Sequence, residues 1–305
     1  MAIDERYRQQ MQLLFQLLPI VAREKDFALK GGTAINLFEF DMPRLSVDLD
    51  LTYIGMEPRT EALDRCRTIL DRLAGEIERR IPQSRVERRL NDHDEIRVIV
   101  RVGANVVKIE SSPVARGVVG PVITRQVQPR VQEAFGYSEI QCVSTPELYG
   151  GKLCAALDRQ HPRDLFDVLT LMEREGVTRE IFDGFLVALM SSNRPMAEIL
   201  EPKRKDFSEP FLGEFQGMTD LPVNLESLEQ AREELVHSIR RFMTADDRNF
   251  LFDFKRGAPD WERFAYPEAQ NLPAIRWKQL NLDRMNPDKR RAAIERLDNI
   301  LARMV

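Results

Sequence analysis

The sequence predicts an α/β domain followed by a helical domain. Short segments with strand-like alternation occur up to about residue 143, whereas helical periodicity dominates from Thr145 onward. The chain has 305 residues, 43% of them hydrophobic, which is enough for two hydrophobic cores. We therefore expect an α/β (α+β) domain at residues 1–143, built on a small mixed β-sheet, and a helical domain at residues 144–305.

Helices and strands alternate in the first predicted domain. Helices are predicted at residues 4–23, 34–40 and 61–81, and strands at 27–30, 46–53, 96–102, 106–110 and 137–143. Gly103-Ala104-Asn105 supplies a hairpin turn between two of these strands. Residues 117–136 show no clear period and are interpreted as strand fragments and loop.

Helices account for most of the second predicted domain. They are expected at residues 146–157, 163–175, 180–190, 225–243 and 287–304. Residues 201–220 carry the weakest pattern and are interpreted as a long connection.

Composition excludes several classes of protein. The formal charge of −4 argues against a chain coated in nucleic acid, although a local basic surface is compatible with it. Three scattered cysteines indicate reduced thiols in a cytoplasmic protein, and no segment is long and apolar enough for a membrane span. His93, His161 and His237 lack metal-ligand spacing, so a zinc site is not expected.

Paired carboxylates are the strongest chemical signal. In the predicted strand at residues 46–53, Asp48 and Asp50 lie on one face because side chains alternate along a strand. Glu110 lies on a later strand and can supply a third carboxylate. Carboxylate oxygens together with substrate phosphates are the ligands that Mg²⁺ prefers, and nucleotidyl transfer uses two such ions.

A glycine pair precedes the carboxylates. Gly31-Gly32-Thr33 lies between a predicted strand and the start of a predicted helix, where backbone N–H groups can bind phosphate. Either signal alone has an ordinary structural interpretation, namely a solvated strand end for the Asp pair and a simple turn for the glycines. Their combination with Lys108 and Glu110 on a later strand is far more specific.

The motifs together resemble the AbiEii/AbiGii toxin family of nucleotidyltransferases, which belongs to the polymerase-β superfamily. The first is LKGGTAINLFEFDMPRLSVDLDL, the second is Val107-Lys108-Ile109-Glu110, the third is PELYGGKL at residues 146–153, and the fourth is HPRDLFD at residues 161–167. All four occur in order between about residues 27 and 175.

The resemblance implies a role for each matching residue. Gly31, Gly32, Thr33 and Ser46 would form the nucleotide-binding segment, and Asp48, Asp50 and Glu110 would hold two Mg²⁺ ions. Lys152 would contact the triphosphate, and Asp164 would be an essential acidic residue, supported by Arg163 and Asp167. This chain departs from the family pattern in having one hydroxyl after the glycines and Glu rather than Asp at position 110. For Lys152 and Asp164, a solvated lysine and a helix-capping carboxylate are the structural alternatives.

The resemblance implies a toxin that transfers an NMP from an NTP to an RNA acceptor, with a tRNA 3′ end as the leading candidate and a cognate antitoxin as partner. A protein hydroxyl or a small molecule is an alternative acceptor, and a kinase-like or nucleotide-sensing protein is a further alternative. Five arginines precede Glu110 and suit either an RNA-binding rim or ordinary surface charge. They are Arg85, Arg88, Arg89, Arg97 and Arg101.

Overall fold

The computed structural model describes residues 3–90, 96–111 and 115–304, so His93 lies outside the described residues. Contacts divide the chain into two compact units. The first comprises residues 1–144 together with 212–222, and the second comprises residues 145–211 together with 223–305. Within the described residues, no helix combines the length and the apolar character that a membrane span requires.

The first unit is built on a seven-stranded mixed sheet with the strand order β3-β4-β5-β2-β1-β7-β6. Its strands are β1 (Phe27–Lys30), β2 (Asp48–Tyr53), β3 (Arg85–Leu90), β4 (Ile96–Val102), β5 (Asn105–Ser111), β6 (Ile123–Gln126) and β7 (Glu139–Cys142). The pairs β2–β5 and β1–β7 are parallel, and the other four pairs are antiparallel. The mixed sheet therefore agrees with the predicted class.

Four helices accompany the sheet. They are α1 (Glu5–Val21), α2 (Gly31–Ala34, continued by a π-helical turn at Ile35–Glu39), α3 (Arg59–Arg80) and α4 (Pro129–Phe135). The periodic apolar residues of α1 and α3 are buried, and both helices pack against the sheet. The sheet face that they cover carries the apolar half of each alternating strand, including Leu49, Val98 and Ile109, all fully buried.

Three local predictions differ from the structure. The second helix begins at Gly31 rather than at residue 34, so the glycines form its first turn. Residues 85–90 form an edge strand, although their charge hides the alternation. Pro129–Phe135 is a short helix with Pro at its start and Gly136 at φ +99° after its end, which are ordinary helix boundary signals.

Residues 212–222 belong to the first unit, although they follow 67 residues of the second unit in the chain. The carbonyl of Met218 accepts a hydrogen bond from the backbone N–H of Leu45 at 2.7 Å, and the Thr219 hydroxyl donates to the carbonyl of Pro43 at 2.7 Å. This segment therefore supports the loop that leads into β2.

The second unit is helical. Its helices are α5 (Thr145–Arg159), α6 (Pro162–Arg174), α7 (Arg179–Ser191), α8 (Met196–Leu200), α9 (Ser208–Pro210), α10 (Leu225–Phe242), α11 (Ala245–Arg256), α12 (Pro273–Asp283) and α13 (Pro287–Leu301). A π-helical turn at Phe211–Phe215 continues α9, and 3₁₀ turns lie at Trp261–Arg263 and Pro267–Asn271. The longest of these helices were predicted, whereas α8, α11 and α12 were not.

Helices α5 and α7 approach each other closely through two glycines. A Cβ atom at Gly150 would overlap the backbone of Gly184, and a Cβ atom at Gly184 would overlap the carbonyl of Pro146. Gly150 lies in the PELYGGKL motif, so this part of the motif has a packing function.

Candidate active site

A row of charged side chains crosses the first unit's sheet, centred on Asp50. Strand pairing sets Asp50 opposite Lys30 on β1 and opposite Glu110 on β5. Glu110 is in turn opposite Arg97 on β4, and Arg97 is opposite Arg89 on β3. Directly paired residues project from the same face of a sheet. Five charged residues from five adjacent strands therefore share one row.

Asp48 lies in the neighbouring row, opposite Lys108 on β5. Asp48, Asp50 and Glu110 are partly exposed, whereas Leu49, Leu51 and Ile109 between them are buried. This alternation places the three predicted carboxylates on the face opposite to the one packed against α1 and α3.

Gly31 brings the first turn of α2 next to the carboxylates. Its φ of +72° favours glycine, and a Cβ atom there would overlap the Oδ2 atom of Asp50. The backbone N–H groups of a helix's first turn have no partner within the helix and carry partial positive charge. The structure therefore provides phosphate-type donors beside Asp50.

Thr33 and Ser46 connect α2 to β2. Both are buried, and their hydroxyl oxygens lie 2.9 Å apart. The Thr33 hydroxyl donates a short hydrogen bond to the backbone carbonyl of Asp48. The Thr33 hydroxyl therefore helps to fix the position of Asp48, while phosphate binding through the hydroxyls of Thr33 and Ser46 stays a prediction.

Arg44 was not among the predicted site residues. It is buried, its guanidinium donates to the carbonyl of Leu45 at 2.8 Å, and a Cβ atom at Gly32 would lie 2.6 Å from its terminal nitrogen. A guanidinium thus lies beside the glycine turn. Arg44 lies in the segment Pro43-Arg44-Leu45-Ser46, two residues before the predicted site residue Ser46. This closeness in sequence is the only feature that would have indicated Arg44.

Arg97 was predicted only as part of a basic rim, but it contacts the site directly. Its Nε atom lies 2.5 Å from a carboxylate oxygen of Glu110. Burial raises the pKa of Glu110, Arg97 opposes this effect, and the negative charges of Asp50 and Asp48 raise the pKa further. The pKa of Glu110 is therefore raised overall, although a cation lies on one side of it and two carboxylates on the other.

The donor set fits Mg²⁺ in chemistry, because Mg²⁺ is commonly held by one or two carboxylates together with substrate phosphates. Asp48 and Asp50 can supply those carboxylates beside the first turn of α2. Among the described residues, however, no three Asp, Glu, His or Cys side chains are gathered closely enough to hold a metal ion. The side chain of Glu110 is directed to Arg97 instead, so its role as a third ligand stays a prediction.

The second unit holds Lys152 and Asp164 in a buried ionic cluster. The Lys152 ammonium lies 2.9 Å from a carboxylate oxygen of Asp164 and 2.9 Å from one of Asp167, and all three residues are at most 7% exposed. Arg159 also pairs with Asp164 at 2.8 Å. Burial alone would raise the pKa of Asp164, but the charges of Lys152 and Arg159 lower it to about 2.

This cluster excludes one structural alternative, a solvated Lys152, whereas Asp164 also lies in the first turn of α6, as the helix-capping alternative requires. Neither Lys152 nor Asp164 is a solvated surface residue, and Asp167 is buried with them rather than exposed. His161 immediately precedes α6 and caps it, since its Nδ1 atom accepts a hydrogen bond from the backbone N–H of Arg163 at 3.2 Å. A contact of Lys152 with the triphosphate stays a prediction.

Comparison with known proteins identifies the fold. The chain resembles MenT4, a nucleotidyltransferase toxin from Mycobacterium tuberculosis H37Rv, with a TM-score of 0.61 over 91% of this chain and 93% of that one. At 16% sequence identity this likeness concerns the fold, and it confirms the predicted fold class. No curated protein matches the sequence.

The family assignment comes from the sequence itself. The model of the nucleotidyl transferase AbiEii toxin family, of type IV toxin–antitoxin systems, matches residues 12–279. That range includes all four motifs and most of both units. The chain therefore belongs to the AbiEii family of nucleotidyltransferase toxins.

Proposed function

We propose that this nucleotidyltransferase toxin moves an NMP from an NTP to an RNA acceptor in a Mg²⁺-dependent reaction, with a tRNA 3′ end as the leading acceptor. The observation that carries the proposal is the position of Asp48 and Asp50 on one face of β2, beside the first turn of α2. Carboxylates and phosphate-type donors are the two parts that nucleotidyl transfer requires together.

Each part of the site has a chemical task in this proposal. Asp48 and Asp50 would hold the metal, which when bound supplies positive charge to the triphosphate and to the attacking hydroxyl. The backbone N–H groups of the glycine turn would bind phosphate oxygens, and Arg44 beside Gly32 would add a cation. Thr33 would keep Asp48 in position through its hydrogen bond to the Asp48 carbonyl.

Basic side chains on the carboxylate face support an RNA acceptor. By strand alternation, Arg85, Arg89, Arg97 and Arg101 project from the same face as Asp50. Arg88 projects from the opposite face, where it pairs with Asp71 of α3 at 3.0 Å. Four of the five arginines in the predicted rim thus lie on the side where an acceptor backbone would approach.

The main experiment incubates the protein with Mg²⁺, total tRNA and each α-³²P-labelled NTP in turn. We expect label on RNA with the wild type and a loss of at least about a hundredfold with Asp48→Asn, which removes a charged ligand at nearly constant volume. Asp64→Asn is the matched control, because Asp64 is an exposed residue of α3, on the other side of the sheet. It should retain full activity.

Other outcomes would redirect the proposal. Label on protein would replace the RNA acceptor by a protein hydroxyl, and transfer from γ-labelled but not α-labelled nucleotide would identify a kinase. Full activity of Asp48→Asn would exclude the proposed metal site. A cognate antitoxin is the partner that the family implies, and its addition should suppress labelling.

A second experiment tests the acceptor surface. Arg85→Gln combined with Arg89→Gln should weaken tRNA binding and reduce the slope of log affinity against log salt by about 2, since two phosphate contacts are lost. Arg88→Gln is the matched control from the opposite face and should leave the slope unchanged. Equal effects of the two variants would exclude this face as the acceptor surface.

A further inference from the structure

The second unit contains a cavity of about 290 Å³ that the nucleotidyl transfer site does not use. It lies between the start of α8, the end of α11 and the helix α13. Its apolar lining includes Pro195, Met196, Ala197, Met285, Ala293 and Leu297. Two charged residues, Lys255 and Arg296, complete the lining.

Lys255 lies in the last turn of α11 and is only 8% exposed. Within the described residues, its ammonium has no hydrogen bond and no ion pair. Burial lowers its pKa, and the positive charge of Arg290 lowers it further. A mostly buried cation without a counter-charge is costly, because burial removes much of its hydration and no protein acceptor among the described residues replaces it.

A second lysine of the same unit shows how this fold satisfies a buried ammonium. Lys278 donates to the backbone carbonyls of Leu189, Ser192 and Arg194 at 3.2, 2.7 and 3.1 Å, at the end of α7. Lys255 has no such acceptors among the described residues. Lys255 lines the cavity, so a ligand bound there would supply the missing acceptor.

Arg296 lies at the rim of the cavity rather than inside it. Its side chain is 55% exposed and lies 3.4 Å from the carboxylate of Glu198, which offsets part of its charge. The cavity therefore has one buried cation, a partly neutralised cation at its entrance, and apolar walls.

We propose that this cavity binds a small amphiphilic carboxylate, whose anionic group pairs with Lys255 and whose apolar part lies against the methionine and alanine side chains. The volume is near the lower end of the roughly 300–1,000 Å³ typical of small-molecule sites. A free phosphate fits poorly, because the apolar walls would leave several of its oxygens without donors.

The test measures binding of octanoate and of 1-octanol by isothermal titration calorimetry, with the full chain and without nucleotide. We expect octanoate to bind the wild type and to bind Lys255→Met about tenfold or more weakly, since its charged partner is lost. Binding of 1-octanol should be unchanged in Lys255→Met. Lys289 is an exposed lysine of α13, so Lys289→Met serves as the control for removing a lysine.

A second variant keeps the proposal testable if Lys255→Met does not fold. Ala293→Leu adds volume at a half-exposed position of α13 while keeping the lysine, and should weaken binding of both compounds. The proposal is overturned if octanoate does not bind the wild type at about 3 mM, or if Lys255→Met or Ala293→Leu binds it as tightly as the wild type does. Because the readout is binding without nucleotide, its outcome is independent of the proposed transferase reaction.

Discussion

Replacing Lys152 by Met should destabilise the second unit, whether or not Lys152 also contacts a phosphate. The Lys152 ammonium is 2.9 Å from carboxylates of both Asp164 and Asp167, whose side chains are 4% and 0% exposed. Removing one partner of a buried ion pair leaves charge in a medium that solvates it poorly. The cost is typically about 3–5 kcal/mol, compared with under about 1 kcal/mol for an exposed pair.

Urea denaturation measures this cost. The two tryptophans, Trp261 and Trp277, both lie in the second unit and report on its unfolding by fluorescence. We expect Lys152→Met to lower the free energy of unfolding by about 3–5 kcal/mol, at an m-value close to that of the wild type. Lys289→Met removes an exposed lysine and should change it by less than about 0.5 kcal/mol.

A double variant separates charge from packing. Lys152→Met combined with Asp167→Asn removes one of the two carboxylate charges and should recover part of the lost stability. A loss below about 1 kcal/mol in Lys152→Met would refute the argument, because it would mean that the cluster is solvated. Until stability is measured, an inactive Lys152 variant is no proof that the lysine contacts the triphosphate.

Three further predictions concern separate features. Arg97→Met should tighten Mn²⁺ binding, measured by electron paramagnetic resonance, by about fivefold, because Glu110 loses its ion-pair partner. In a Glu110→Gln background the same substitution should tighten Mn²⁺ binding by less. Equal changes in both backgrounds would show that Arg97 does not act through Glu110. Gly184→Ala should lower the free energy of unfolding by about 3 kcal/mol, because the added methyl overlaps the backbone of α5, and an unchanged urea midpoint would contradict the observed helix contact. The pKa of Asp164 is depressed to about 2 from an unfolded value near 3.9, so its contribution of about 2–3 kcal/mol is present above about pH 4 and lost as the pH falls towards 2. Asp164→Asn should therefore flatten the acid limb of stability against pH, and identical acid limbs would refute the assignment.

The parts of the structure that follow from sequence are those with a strong local pattern. Strand β1 occurs where it was predicted, and α1, α3 and α10 begin and end within two residues of prediction. The position of Asp48 and Asp50 on one face follows from alternation alone. Strand β3 was not predicted because four of its six residues are charged, so the alternation of apolar and polar residues along it is weak.

Other features depend on contacts between residues far apart in the chain. Residues 212–222 support the loop before β2, but the hydrogen bond between Met218 and Leu45 joins positions 173 residues apart. The close approach of Gly150 and Gly184 likewise requires knowing which helices are neighbours. A motif glycine therefore looks the same in sequence whether it binds phosphate, as proposed for Gly32, or permits packing, as Gly150 does.

The pairing of Arg97 with Glu110 shows how one residue in a turn decides the chemistry of the site. The predicted three-residue turn would pair Val102 with Val106, and so would set Val98 opposite Glu110. In the structure the turn has two residues, Gly103 at φ +58° and Ala104, and Val102 pairs with Asn105. The whole hairpin shifts by one position, so apolar residues meet on the packed face and Arg97 meets Glu110 on the other. Because burial of the apolar face fixes this register, the ion pair beside the proposed metal site is a consequence of core packing rather than of local attraction between the two charges.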